Sequence, residues 1–189
     1  MRPAFPCARC GRPVTRRPPT TTRPKHIECP RCRYVIYDYP RPAAGVLVVR
    51  DASVLLVRRV HRPRIGFLDV PGGFMEANES IEGAARRELR EETGLSMGSL
   101  EPLGFYWDEY SLRGFGRFPT MNWYFVGRWR GGEPVAADDA ASAEWIPLAR
   151  LASLRPRFSW QHMPALFRDL RAWMKLSATP HRGRAREGR

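Results

Sequence analysis

Several things are scarce in this chain of 189 residues. Lysine is nearly absent: Lys25 and Lys175 are the only two among 32 basic residues, and arginine supplies the rest. Cysteine occurs four times, always between residues 7 and 32. No apolar run approaches the roughly twenty residues that cross a bilayer as a helix, so no helical membrane span is expected. The opening MRPAFPCARCG has no apolar core, so a secretory leader is not expected and a cytoplasmic location is. No segment repeats, which removes solenoid and propeller architectures.

The four cysteines stand as Cys7-x2-Cys10 and Cys29-x2-Cys32. Two such knuckles, eighteen residues apart, have the spacing of a four-cysteine zinc site. Four thiolates close the tetrahedral shell of zinc, so the ion would be structural. Gly11 and Pro30 suit the tight turns. Disulfides are the competing use, and they need an oxidising compartment. A ribbon of about forty residues cannot bury enough surface to fold on its core alone, so metal binding would supply much of its folding free energy.

Residues 73–95 read GFMEANESIEGAARRELREETGL. Ser80 is a good N-cap, Ile81 starts an apolar-periodic run and Gly94 is a C-cap. Ile81, Ala85 and Leu89 recur four apart and make one buried stripe. Glu88 precedes Glu91 and Glu92 by one helical turn, so three carboxylates gather on a neighbouring face. Such a cluster repels itself unless cations sit there. Magnesium prefers a few carboxylate oxygens and shares its remaining positions with substrate phosphates. Arg87 is placed to hold one glutamate by a bidentate pair. An exposed acidic helix laced with Arg86, Arg87 and Arg90 is the plain alternative. Before the helix, Phe67–Val70 reads as a short strand running into a Pro71-Gly72-Gly73 turn, where glycines allow close approach to a ligand.

The segment fits G73-x5-E79-x7-R87-E88-L89-x-E91-E92-x-G94-L95 without a gap. This resembles the motif of the Nudix hydrolases, enzymes that cleave a nucleoside diphosphate linked to another group. The resemblance implies an α/β fold, an α/β/α sandwich with a mixed sheet, and a divalent cation, magnesium or manganese. It implies metal ligands at Glu88, Glu91 and Glu92 with help from Glu79, a catalytic set of Glu88, Glu91, Glu92 and Arg87, and diphosphate presented by Gly72 and Gly73. A zinc ribbon placed before the first Nudix strand resembles the subgroup that contains NADH and NAD diphosphatases and relatives acting on ADP-ribose or flavin dinucleotides. The SQPWPFPxS array of the NADH-type members is missing; the corresponding region reads WDEYSLRGFGRFPTMNWYF.

This reading divides the chain into a zinc ribbon at 1–40, a Nudix domain at 41–176 and a disordered basic tail at 177–189. Residues 12–25 look like a loop, and Tyr34–Tyr39 like a strand leaving the ribbon. Residues 43–50 and 53–60 suggest a hairpin around Asp51-Ala52, and 99–109 and 119–130 two further strands. AADDAASA reads as a loop and Glu144–Pro147 as a short strand. Residues 148–154 and 164–176 look helical.

The net charge of +13 is uneven. Residues 1–42 hold ten basic and two acidic side chains and 177–189 four and one, while 43–176 is almost balanced. Basic flanks favour polyanions. The partners this allows are a nucleotide-diphosphate substrate, a weak nucleic-acid contact through ribbon and tail, and a second copy in a homodimer. Arg58 and Arg59, ending a strand, are candidates for phosphate contact. Tyr106 and Phe118, with Trp107, Tyr110 and Phe115, are candidates for stacking on a base, against core packing as the expected fate of most of them. Asp138, Asp139 and Glu144 lie near the last core strand, where the Nudix resemblance implies an extra metal ligand or base as the alternative to a solvated acidic loop, and His162 carries no assigned role. The expected activity is magnesium-dependent hydrolysis of a dinucleotide- or ADP-ribose-type diphosphate to a nucleoside monophosphate and a phosphorylated fragment. The alternatives are a triphosphate pyrophosphohydrolase, a non-catalytic nucleotide sensor and an RNA-binding protein.

Overall fold

The computed structural model describes residues 4–15, 26–37, 39–112 and 116–178. The N-terminal part is two small hairpins. Strand β1 (Ala4–Pro6) pairs with β2 (Pro13–Thr15), and β3 (His26–Glu28) with β4 (Val35–Tyr37), both antiparallel. Each hairpin turns on one CxxC. The Cys7 N–H donates to Arg12 O at 2.9 Å and the Gly11 N–H to Cys7 O at 2.8 Å. Likewise the Cys29 N–H donates to Tyr34 O at 2.9 Å and the Arg33 N–H to Cys29 O at 3.0 Å. Gly11 and Arg33 close these turns in the left-handed region. The expected loop 12–25 is therefore partly strand; residues 16–25 lie outside the described residues, as do 113–115 with Phe115, and 179–189 of the expected tail.

The rest is one sheet of seven strands: β5 (Arg41–Arg50), β6 (Ser53–Arg59), β7 (Leu68–Asp69), β8 (Gly72–Phe74), β9 (Glu101–Leu112), β10 (Gly116–Arg128) and β11 (Ala140–Pro147). Their order is β11-β6-β5-β10-β9, with β7 on β6 and β8 on β5. Only β5 and β10 run parallel; the other pairs are antiparallel, so the sheet is mixed. Strand β5 lies at the centre and is buried from Ala43 to Val49, as a strand covered on both faces should be. Its side chains alternate. Val46 and Val48 meet helix α1 (Ile81–Thr93) through Ala84, Ala85 and Leu89. Leu47 and Val49 meet helix α3 (Met163–Ala178) through Leu166, Phe167 and Leu170. The result is the expected α/β/α sandwich.

The structure changes four boundaries. A short α2 (Leu151–Leu154) is flanked by 3-10 turns rather than filling 148–154. Helix α3 runs on to Ala178, so residues 177–178 are helical and not tail. Strand β11 starts at Ala140, half inside AADDAASA, because pairing with β6 from Ala140↔Arg59 overrides the weak strand propensity of alanine. The Pro-Gly-Gly segment is also more than a turn: Gly72-Gly73-Phe74 is strand β8, opposite Gly45, Ala44 and Ala43. A Cβ on Gly72 would lie 2.4 Å from Ala44 O and 2.6 Å from Gly45 Cα. Glycine is required there by the closeness of two backbones, not by a positive φ.

Candidate active site

The site grows from helix α1. Ser80 Oγ accepts the Gly83 N–H at 3.0 Å and caps the helix, and Gly94 ends it at φ 70°. The stripe of Ala85 and Leu89 fixes the rotation of the helix on the sheet. That rotation points Glu88 and Glu92 toward strand β8. The Gly72 N–H donates to Glu92 Oε2 at 3.0 Å. Gly73 lies against Glu88 so closely that a Cβ there would sit 2.5 Å from Glu88 Oε1.

Arg87 organises the other carboxylates. Its Nε and Nη2 grip both oxygens of Glu79 at 3.2 and 2.8 Å, and Nη1 reaches Glu88 Oε1 and Glu91 Oε2 at 2.9 Å each. Nη2 also donates to Phe74 O at 3.1 Å, which ties the helix to β8. The bidentate pair expected for Arg87 is made to Glu79, and two further glutamates share the same guanidinium. Glu88 and Glu92 line a pocket of about 360 Å³; Glu79 and Glu91 do not, and Glu91 is 41 % exposed on its side chain.

The charges of the pocket are under strain. Glu92 is only 6 % exposed, and burial, followed by the charge of Asp69, pushes its carboxyl up to about 9. Burial also raises Glu88, against the pull of Arg87. Glu79 is lowered by its hydrogen bonds from Arg87. Asp69 is buried beside them and raised by burial. It is held by Arg59 Nη1 at 3.0 Å, Trp160 Nε1 at 2.7 Å and the Val70 N–H at 2.9 Å. Asp139 also lines the pocket, and it meets His61 Nε2 at 3.1 Å. A wall of hard oxygen donors whose ionised forms are penalised by burial fits a divalent cation.

The opposite wall is aromatic. Tyr110 and Trp160 line the pocket with ring centroids 5.3 Å apart, and Phe74 meets Tyr110 at 5.3 Å. Phe118 stacks behind Tyr110 and is buried under Arg41, so it backs the wall instead of facing the pocket. Tyr106 is elsewhere: its hydroxyl donates to Asp169 at 2.7 Å, and its ring packs on Tyr124 and His162 under α3. Arg58 is also turned away, paired with Glu144 and Gly66 O. Arg59 lines the pocket, with Nε on Pro63 O at 3.1 Å and Nη1 on Asp69. One position along β6 separates the two arginines, and adjacent strand residues face opposite sides.

Sequence reasoning passed over Asp69, Trp160 and the buried chain Asp108–His162–Tyr124. Asp108 Oδ2 lies 2.7 Å from His162 Nδ1 and accepts its backbone N–H at 3.1 Å, while His162 Nε2 is 2.9 Å from the Tyr124 hydroxyl at the pocket. Asp69 did carry a signal, an acid inside the apolar run Leu68-Asp69-Val70. For Trp160, 91 residues from Asp69, no local pattern exists.

The ribbon forms a second centre. Cys7 and Cys32 Sγ are 3.7 Å apart, and Cys10 and Cys29 Sγ 3.6 Å. A disulfide would need about 2 Å. All four donor atoms lie within 4.8 Å of one another. Four sulfurs at the usual 2.3 Å from zinc stand about 3.8 Å apart, so these thiols are already spaced for a tetrahedral ion. The two thiols of the second knuckle shift in opposite directions: the backbone N–H of Cys32 leads the effects that lower Cys29 to about 6, while, against the Tyr34 N–H, burial and the neighbouring thiols raise Cys32 to about 12. Among the described residues this is the only set of three or more such donors so gathered; Glu79, Glu88 and Glu91 are joined through Arg87 instead.

A mixed-sheet sandwich presents a loop, a helix and buried carboxylates to one pocket, an arrangement suited to a divalent cation shared with phosphate. The NUDIX domain model matches residues 39–170, and the chain belongs to that family. It is 32% identical over 142 residues to the ADP-ribose pyrophosphatase of Methanocaldococcus jannaschii, across 75% of this chain and 79% of that protein. It is 33% identical over 161 residues to the NAD-capped RNA hydrolase NudC of Pseudomonas aeruginosa, across 78% of this chain but 49% of that protein, so it spans about half the length of that relative. Among solved structures, a NUDIX hydrolase from Nitrosomonas europaea superimposes with a TM-score of 0.61 at 23% identity, covering 71% of this chain and 90% of that one, which shows the fold. No helix among the described residues is long and apolar enough to cross a membrane.

Proposed function

We propose that the chain hydrolyses the diphosphate bridge of a dinucleotide- or ADP-ribose-type substrate, releasing a nucleoside monophosphate and a phosphorylated fragment. One observation carries this reading: a single pocket of about 360 Å³ sets the Glu88–Glu92 carboxylates against the Tyr110–Trp160 wall. A diphosphate with a ring system attached needs both. The names of the relatives from Methanocaldococcus jannaschii and Pseudomonas aeruginosa point the same way.

In this reading Glu88 and Glu92 hold magnesium or manganese, with Glu91 and Glu79 completing the outer positions. Bound there, the cation would polarise the phosphoryl oxygens and neutralise charge. Arg87 fixes Glu79, Glu88 and Glu91 in register. Gly73, which has no side chain, leaves the Glu88 carboxylate room to keep its place. Arg59, preset by Asp69 and Pro63 O, offers its remaining donors to a phosphate. Tyr110 and Trp160 give a ring face to the base. Water attacks phosphorus, the bridging P–O bond breaks, and a carboxylate of the box takes the proton. The four thiols hold zinc, and thiols kept free for it fit a reducing cytoplasm.

Steady-state kinetics with magnesium over ADP-ribose, NADH, NAD, FAD, diadenosine polyphosphates and nucleoside triphosphates test this. Several of the diphosphates should turn over, with none sharply preferred. A triphosphate with kcat/KM ten times that of every dinucleotide and of ADP-ribose would overturn the substrate class.

A further inference from the structure

The second ribbon hairpin exposes rings that the hydrolase site does not use. In β3–β4 the register is His26↔Tyr37, Ile27↔Ile36 and Glu28↔Val35. Side chains alternate across a strand, so His26, Glu28, Val35 and Tyr37 share one face and Ile27 and Ile36 the other. Ile27 packs toward the cysteines. The first face is open: Tyr37 is 57 % exposed, and Val35 and Tyr34 are exposed beside it. Tyr39, two residues on and 65 % exposed, continues that face and stacks on Tyr37, with ring centroids 5.3 Å apart and planes 4° from parallel. The ring of His26 lies 5.8 Å from that of Tyr37. Glu28 is neutralised by Arg33 in an ion pair.

Charge surrounds these rings. Residues 1–42 carry ten basic side chains against two acidic ones. Arg9, Arg12, Arg31 and Arg33 are exposed around the two cysteine turns. Even a tetrathiolate zinc centre, which brings a charge of about −2, leaves the module strongly positive. Exposed rings alone suit any apolar partner. A flat stack of rings inside an arginine-rich module suits single-stranded nucleic acid, whose bases stack on the rings while the phosphates meet the arginines. Duplex DNA or RNA keeps its bases inside and offers only the phosphates.

We infer that the Tyr37–Tyr39 face of the ribbon is a docking surface for a single-stranded segment of nucleic acid, separate from the hydrolytic pocket. It gives the basic ribbon a specific point of contact where net charge gives only attraction. The surface holds a strand by ring faces and charge, so it reads single-strandedness and not sequence.

The test is fluorescence anisotropy of the full chain with a labelled single-stranded oligouridylate of about 12 nucleotides, inside the range such surfaces cover, and with a duplex of the same length. No magnesium is added, so binding is read without hydrolysis and stands even if the diphosphate reading fails. The single strand should bind more tightly than the duplex, and its affinity should fall with salt. Tyr37→Ala with Tyr39→Ala should weaken it about 10-fold or more, while zinc content and ADP-ribose turnover stay as they were. Tyr37→Phe with Tyr39→Phe should restore it, because the ring faces return. Tyr39→Ala alone, outside the hairpin, should cost about 3-fold and guards against a ribbon that fails to fold. Equal affinity for the duplex, or alanine variants within 2-fold of the parent, would overturn the inference. So would sedimentation showing that the double alanine variant splits a dimer while its affinity for the strand is unchanged, which would assign the face to a second copy of the chain.

Discussion

The cysteine cluster of the ribbon and the carboxylate cluster of the hydrolase domain are built in opposite ways. In the ribbon, each tight turn presents two thiols, and the packing of the two hairpins brings Cys7, Cys10, Cys29 and Cys32 within 4.8 Å of one another. In the hydrolase domain, Glu79, Glu88 and Glu91 meet only through Arg87, and Glu92 is buried with its carboxyl pushed up to about 9. The first has the spacing of a closed tetrahedral shell. The second is open, and its buried carboxyls suit a cation shared with phosphate. A structural centre can be satisfied by its own ligands; a catalytic one keeps unsatisfied charge for the substrate to meet.

The largest effect expected from this contrast is catalytic. Glu88→Gln and Glu92→Gln should each keep the fold and lower kcat by about 100-fold or more at saturating magnesium, the scale for losing a principal electrostatic contribution. Glu91→Gln, more exposed and outside the pocket lining, should lose less. Wild-type turnover in the Glu88 and Glu92 variants would remove the open centre from the account.

Two adjacent glycines sharpen the same contrast within one strand. Gly72 faces backbone and Gly73 faces the Glu88 carboxylate. Gly72→Ala should therefore destabilise the domain by about 1–3 kcal/mol, because β5 cannot yield. Gly73→Ala should leave Tm nearly unchanged yet lower kcat by about 10-fold or more by displacing Glu88. Thermal melts and turnover of both variants decide it, and a pair of identical profiles would sink the distinction.

The ribbon should behave as the closed centre. Elemental analysis of protein purified without added metal should find about one zinc per chain. Cys7→Ser with Cys10→Ser should abolish it and loosen the two cysteine hairpins, while ADP-ribose turnover changes by less than about 3-fold. A protein that binds no zinc under reducing conditions and keeps an ordered ribbon would contradict this.

A pH dependence tests the open centre without a change to its chemistry. The raised carboxyl of Glu92 keeps its proton in the folded state after the unfolded chain has released one. Stability without divalent cation should then fall as pH rises from the ordinary glutamate value of about 4.3 toward 9, and the penalty is complete above it. Magnesium offsets the penalty only where Glu92 is ionised. The gain in Tm on adding magnesium should therefore grow from pH 6 to pH 9, and Glu92→Gln should flatten the slope. A magnesium effect independent of pH would argue against Glu92 as a ligand.

How much of this was legible in the chain follows from distance along it. Ser80, Gly94, the stripe through Ala85 and Leu89, and both cysteine knuckles depend on neighbours a few residues away, so spacing revealed them. Strand β8 was hidden because Pro-Gly-Gly is a turn signal, while the reason for Gly72 is a partner strand near residue 44 and the reason for Gly73 is the Glu88 carboxylate. Arg58 and Arg59 could not be separated, since one step of register exchanges the faces. Tyr106 and Tyr110 share a face of β9, yet α3 covers the first and leaves the second at the pocket. Trp160 and the Asp108–His162–Tyr124 chain reach the site only through tertiary packing.

The most direct measurement is product analysis of ADP-ribose incubated with the full chain and magnesium. The account predicts AMP and ribose 5-phosphate in equal amounts, no inorganic phosphate, and loss of both products in Glu92→Gln. Intact ADP-ribose, NADH and FAD alongside rapid release of pyrophosphate from a nucleoside triphosphate would contradict it.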